Sequence, residues 1–188
     1  MKILLEDVRM AFPALYTPQS IGDGEPAYGA RFIIEPGSAN AKKIEDAIKA
    51  VAAEKWNAKA GEVLAVIDKN GKSSYLREPY ASKKTGEVFA GFEGKHSLGT
   101  RTPADKPRPS TFDRSKREVG PNDGVFYGGC YVDASVDIWA QDNTYGRRIN
   151  ASLLGVRFWR DGDAFSGSAP ATASDFADRD GDEGEGLV

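Results

Sequence analysis

Two stretches, CYVDASVDIWA (130–140) and RRINASLLGVRFWRDG (147–162), alternate apolar and polar residues so regularly that they constrain everything else. In the first, Cys130, Val132, Ala134, Val136, Ile138 and Ala140 share one face, and Tyr131, Asp133, Ser135, Asp137 and Trp139 share the other. A period of two is the signature of a half-buried strand. In the second, Ile149, Ala151 and Leu153 point inward, followed by Val156 and Phe158, so the parity slips at Leu154-Gly155. A slip beside glycine predicts a β-bulge where a strand bends. With the turn-like Asp142-Asn143-Thr144-Tyr145-Gly146 between them, the two stretches predict a long bent hairpin, and Gly128-Gly129 predicts a second bend before it.

The pattern extends upstream. Leu4, Glu6, Val8, Met10 and Phe12 alternate with Asp7 and Arg9, and Tyr28, Ala30, Phe32 and Ile34 alternate with Arg31. Both stretches predict strands, joined through the Gly/Pro-containing segment 17–26. Ser38 offers an N-cap to a helix spanning roughly 38–60, with Gly61 as its stop. Its apolar stripe is Ile44, Ala47, Ile48, Val51, Ala52 and Trp56, while Lys42, Lys43, Lys49 and Lys55 interleave with acids on a solvated face. Residues 62–122 are the least regular, with a turn at Asp68-Lys69-Asn70-Gly71 and short strands expected near 74–80 and 87–93. The whole predicts a mainly β chain: an OB-fold-like β-barrel with one main helix. A strongly bent α+β sheet is the alternative.

With 188 residues and 40% hydrophobic content, the chain can bury a core of its own. No signal peptide or apolar span appears, so a cytoplasmic protein with no membrane partner is expected. One cysteine, Cys130, and one histidine, His96, leave no common zinc site and no Ser-His-Asp or Cys-His system. Neither a metal nor another cofactor is expected. A nuclease using Asp133 and Asp137 fares poorly as well, because carboxylates four residues apart on a strand stand about 13 Å apart. The chain is therefore read as non-enzymatic.

Charge is unevenly distributed. Asp175, Asp178, Asp180, Asp182, Glu183 and Glu185 face only Arg179, so residues 175–188 carry −5 of a whole-chain net charge of −3, and residues 1–174 carry +2. The predicted organisation is a binding domain over 1–165, a flexible linker over 166–174 (SGSAPATAS) and a disordered acidic tail over 175–188. The spacing of the tail does not fit a calcium loop. Its apolar punctuation, Phe176, Leu187 and Val188, suggests docking into a partner's pocket ringed by cations. A tethered polyanion would also compete with nucleic acid for a basic groove.

Two constellations point to single-stranded nucleic acid. On the outer face of the hairpin, Tyr131 and Trp139 share space with Arg148, Arg157 and Trp159. Rings beside arginines suit unpaired bases, which stack on the rings while cations track the phosphates. Tyr131 and Trp139 also share that face with Asp133 and Asp137, so burial under the helix is equally open to them. The second constellation runs from 95 to 117, where Lys95, His96, Arg101, Lys106, Arg108, Arg114, Lys116 and Arg117 meet only Asp105 and Asp113, with Phe112 among them. Pro103, Pro107 and Pro109 exclude a regular helix, which predicts a long mobile basic loop able to close over a strand. Lys83 and Lys84, next to Tyr80, would extend the patch.

The runs GGCYVDASVDIWAQDN, RRINASLLGVRFWRDGDAFSG, ILLEDVRMAFPALYTPQ and YGARFIIEPGS resemble the bacteriophage single-stranded DNA-binding proteins of the Enterobacter phage type. The resemblance covers most of residues 1–167 and is weakest through 95–120. It implies an OB-fold protein that coats and protects single-stranded DNA in phage replication or recombination, without catalysis and in the host cytoplasm. It implies single-stranded DNA as the partner and replication or recombination proteins recruited through the acidic tail; weaker binding of duplex DNA is left open by the residues. Tails of this kind often end in phenylalanine; this one ends in Leu187-Val188. The competing reading is a non-catalytic phage structural or chaperone-like β-barrel whose acidic tail binds a basic protein.

Overall fold

The computed structural model describes residues 1–20 and 23–165. The linker and the acidic tail expected from the sequence lie outside the described residues. The chain forms β1 (Lys2–Gln19), β2 (Ala27–Ile34), α1 (Ala39–Trp56), α2 (Ala60–Lys69), β3 (Tyr75–Leu76), β4 (His96–Gly99), β5 (Thr102–Pro103), β6 (Ser110–Phe112), β7 (Tyr131–Asn143) and β8 (Gly146–Arg160). This is the mainly β architecture with one main helix that the alternation predicts.

The long hairpin is β7 and β8, turning through Thr144-Tyr145 between the paired Asn143 and Gly146. Ser135 pairs with Gly155 and Val136 with Leu153, so Leu154 is the extra residue of the predicted bulge. A second slip leaves Trp159 unpaired, because Tyr131 faces Arg160 and Val132 faces Phe158. Cys130, Val132, Ala134, Val136 and Ile138 are all fully buried, as the period of two requires.

The sheet runs in the order β3-β4-β2-β1-β7-β8-β6, with β5 also pairing β2; β6 joins β8 in parallel and the other pairs are antiparallel. It does not close as a continuous ladder. Along the seam between its β3–β5 end and β8, single bonds take over: Ser74 N–H to Ile149 O (2.9 Å) and Arg101 N–H to Ala151 O (2.8 Å). The buried Thr102 hydroxyl donates to Leu153 O (2.9 Å) and accepts from Leu153 N–H (3.0 Å). Replacing that hydroxyl by a methyl strands both backbone groups in a dry seam. Thr102→Val is expected to lower unfolding stability by about 1–3 kcal/mol in a urea titration.

Ser38 caps α1, its hydroxyl accepting from Ala41 N–H at 3.2 Å, and Ile44, Ala47, Ile48, Val51, Ala52 and Trp56 form the buried stripe. This stripe packs on β1 and β7, in one buried cluster with Leu5, Met10, Val136 and Ile138. The Trp56 indole N–H donates to Asp142 at 2.8 Å, tying the helix end to the hairpin tip.

Four expectations need correction. The helical segment does not stop at Gly61. Asn57 breaks it at φ +49°, a short 3-10 turn follows, and α2 continues with Val63 and Ile67 buried. At φ +49° and ψ −127° Asn57 leaves the helical region while its N–H still bonds Ala53 O, and it thereby takes the stop role assigned to the glycine.

Residues 95–117 are not one long loop. β4 and β5 pair with β2, and β6 with β8. Prolines forbid a helix there but not short edge strands. Of the short strands expected near 74–80 and 87–93, only β3 and a single Ala81–Val88 bridge form.

Finally, β1 does not alternate as written. Its register against β7 shifts between Leu5 and Val8, and its register against β2 shifts after Ala11. Leu5, Val8 and Met10 are buried, whereas Leu4 and Phe12 are exposed.

Candidate nucleic-acid interface

The exposure of Phe12 leads to the site. Asp7 and Phe12 adopt φ of +48° and +49°, a region that costs a residue with a side chain on the order of 1–2 kcal/mol. At Phe12 the result is a phenyl ring turned out of the core and 53% exposed. It meets Tyr80 edge-on at 6.0 Å and Phe89 at 5.2 Å between centroids, and stacks over the buried Phe92 at 6.3 Å. Tyr80 and Phe89 stack on each other at 5.2 Å, brought together by the bond from Phe89 N–H to Tyr80 O (3.0 Å) and the Ala81–Val88 bridge.

Cations border these rings. The Arg31 guanidinium of β2 lies 3.8 Å from the Tyr80 ring centroid and donates to Ser97 Oγ at 3.0 Å. It rests on Gly99 so closely that a Cβ there would come within 2.6 Å of it, so a larger residue at 99 would push the guanidinium aside. Burial lowers the Arg31 pKa and Tyr80 draws it back up, but a guanidinium remains charged. Arg101 donates to Glu25 O at 2.8 Å and lines the same groove. The groove measures about 510 Å³ and is lined by Phe12, Tyr28, Arg31, Tyr80, Phe89 and Arg101. An exposed ring backed by half-buried ones, with two arginines at a concave surface, provides what an unpaired base and its phosphate need.

The predicted residues divide into several groups. Arg101 lines the groove, and Lys83 and Lys84 lie exposed in the turn between Tyr80 and Phe89. A second cluster forms at the β6–β8 edge, where Arg114 stacks on Trp159 at 4.3 Å and Arg157 lies 5.4 Å from the same ring. Arg108 covers Tyr16 at 4.9 Å, while Lys106 and Lys116 are exposed.

Other members already have partners. Lys95 pairs with Glu35, Arg117 with Asp113 and Arg157 with Asp133. His96 Nδ1 lies 2.7 Å from the Tyr75 hydroxyl, and Phe112 is half-buried in β6. Tyr131 lies under Arg160, 3.5 Å from its ring centroid, rather than under α1. Trp139 is exposed on β7 and donates to Ser152 Oγ at 3.3 Å, beside the half-buried Arg148. Asp133 accepts from Asp7 N–H as well as from Arg157, and Asp137 holds the N-terminal ammonium. Neither carboxylate is therefore free to grip a metal. The tail residues from Asp175 to Val188 lie outside the described residues.

Arg9, Arg31, Phe12, Tyr28, Phe89 and Phe92 escape a reading by composition. Of the groove residues, Arg101, in the basic segment, and Tyr80, noted beside Lys83 and Lys84, leave a signal in the sequence.

The end of the described chain crosses this outer face. The Tyr127 hydroxyl donates to Asp161 Oδ1 at 2.6 Å, and burial followed by that carboxylate pushes its pKa up to about 12. Burial first, then Glu45, pushes Tyr75 up to about 12 as well. Both phenols prefer the protonated form when folded. Their contribution to stability is therefore complete below pH about 10 and is lost as the pH rises through about 12. Ultraviolet titration is expected to show two late-ionising phenols, with Tyr127→Phe removing one of them.

A family model described as Enterobacter phage Enc34, ssDNA-binding protein, matches residues 1–187. "Putative protein p50" of Acyrthosiphon pisum secondary endosymbiont phage 1 is 36% identical over 190 residues, covering 100% of this chain and 99% of its own length. The single-stranded DNA-binding protein from bacteriophage Enc34, solved in complex with ssDNA, superposes with a TM-score of 0.69 at 25% identity, over 88% of this chain and 89% of that one. Bacteriophage T7 gp2.5, a single-stranded DNA-binding protein, shares the fold at a TM-score of 0.54 and 13% identity over the full length of both chains.

Proposed function

The chain belongs to the family of the Enterobacter phage Enc34 single-stranded DNA-binding protein, a non-enzymatic family, and from that membership we propose that it binds single-stranded DNA in the groove of Phe12, Tyr80 and Phe89. The observation that carries this reading is the outward turn of Phe12, which places a ring against Tyr80 and Phe89 beside Arg31. Bases stack against this ring cluster, entering at the exposed Phe12, while Arg31, Arg101, Lys83 and Lys84 follow the backbone. Duplex DNA cannot present base faces to such a surface and binds more weakly, through its phosphates alone.

The protein coats and protects single strands during phage replication or recombination, in the host cytoplasm. Among the described residues no helix is long and apolar enough to cross a membrane. The acidic residues 175–188 compete with DNA for the cations of the groove, and Phe176, Leu187 and Val188 dock with replication or recombination proteins. The Arg114–Trp159 cluster lies outside the groove lining, and Arg157 beside it is already paired with Asp133.

Anisotropy of labelled oligo-dT tests the reading. Binding at low salt is expected to leave tryptophan emission nearly unchanged, because none of the three tryptophans lines the groove. Strong tryptophan quenching would move the site to Trp139 or Trp159.

A further inference from the structure

We propose that Arg9 and Tyr131 form a further DNA subsite beyond the groove, for one phosphate and one base, and that residues 161–165 of the chain occupy it in the free protein. This rests on the groove being the DNA site.

Register places the subsite. Ile33 of β2, Arg9 of β1, Tyr131 of β7 and Arg160 of β8 form one row across the sheet, and the pair two residues along, Arg31 and Ala11, leads into the groove. The end of the described chain lies over this row. Gly162 sits so close to Tyr131 that a Cβ would be 2.8 Å from a ring carbon. Asp163 O accepts from the Arg9 guanidinium at 2.7 Å. Phe165 N–H donates to Gly128 O at 3.0 Å, and its ring lies 4.2 Å from the same guanidinium. On its other side that ring touches Gly91, the residue before Phe92, where a Cβ would come within 2.7 Å of it. Phe165 thus lies between Gly91 and the Arg9 guanidinium.

The chemistry of Arg9 identifies the ligand class. Arg157, Arg160 and Arg117 each pair with a carboxylate, but among the described residues Arg9 has none. Its partners are two peptide carbonyls, Gly129 O at 3.2 Å and Asp163 O, and the rings of Phe165 and Tyr131. A guanidinium fork binds a phosphate more strongly than it binds neutral carbonyls. A ring stacked on guanidinium is the arrangement that a base adopts there. Carbonyl and phenyl together therefore imitate a nucleotide, the first in place of a phosphate oxygen and the second in place of a base. A strand long enough to leave the groove displaces them.

Oligo-dT of stepwise increasing length, titrated against the full chain and its Phe165→Ala variant, tests this. Short oligonucleotides that fill only the groove are expected to bind both proteins equally. Longer ones should bind the variant about fivefold more tightly, the low end of one stacked base. In the unmodified protein, amide exchange at Phe165 should accelerate when a long oligonucleotide binds and stay unchanged with a short one. Equal affinities at every length, weaker binding by the variant, or slower exchange at Phe165 would each overturn the subsite. If short oligonucleotides still bind and still require Tyr80, only the subsite falls; if they do not bind at all, the groove falls with it.

Discussion

Tyr80→Ala is expected to weaken oligo-dT binding by roughly five- to 150-fold, the equivalent of about 1–3 kcal/mol for one stacking ring. Tyr80 is central to the groove. It stacks with Phe89, meets Phe12 edge-on and carries Arg31 on its face. Its removal takes away the ring that backs Phe89 and one face of the guanidinium's setting together. Arg31 still holds Ser97, so the cation stays in place and the loss reads stacking more than charge. Tyr80→Phe should restore most of the affinity, because the face of the ring and not the hydroxyl does the stacking. Phe89→Ala should behave like Tyr80→Ala. Trp139→Ala, on a ring that does not line the groove, should change affinity little.

The second large effect is that of salt. If Arg31, Arg101, Lys83 and Lys84 each neutralise one phosphate, the slope of log K against log salt for a single strand is about −2.8. Affinity then falls about fiftyfold between 50 and 200 mM salt. A double Lys83→Ala, Lys84→Ala variant should flatten the slope by about 1.4. A slope unchanged in that variant would place those lysines off the DNA path. Carboxylate-paired cations such as Arg157 and Arg117 are expected to contribute little to the slope, because binding there must first displace Asp133 or Asp113.

How far the sequence carries the fold depends on which residues follow a period. In β7 and β8 each step of two meets the same environment, so even the bulge at Leu154 could be placed in advance. The stripe of α1 and its Ser38 cap were legible for the same reason, since one local rule decides them. The groove was not. Phe12 sits at an apolar position of an alternating strand, and only its positive φ, imposed by the register shift after Ala11, sends it outward. Tyr80 and Phe89 come from a segment with one bridge and no period, so nothing local marks them as neighbours of Phe12 and Arg31. The basic segment misled in the opposite direction. Counting charges along the chain makes Lys95 and Arg157 look free, whereas the sheet sets Glu35 and Asp133 against them. Linear charge density reports the field of a region, but pairing across strands decides which cations remain available to a ligand.

The central claim is that bases rest on Phe12, Tyr80 and Phe89, and photocrosslinking tests it most directly. Oligo-dT in which bromodeoxyuridine replaces single thymidines would be irradiated with the full chain, and the crosslinked peptides sequenced. Adducts at Phe12, Tyr80 or Phe89 are the predicted result. Adducts confined to Trp139 or Trp159, with the groove unlabelled, would contradict it.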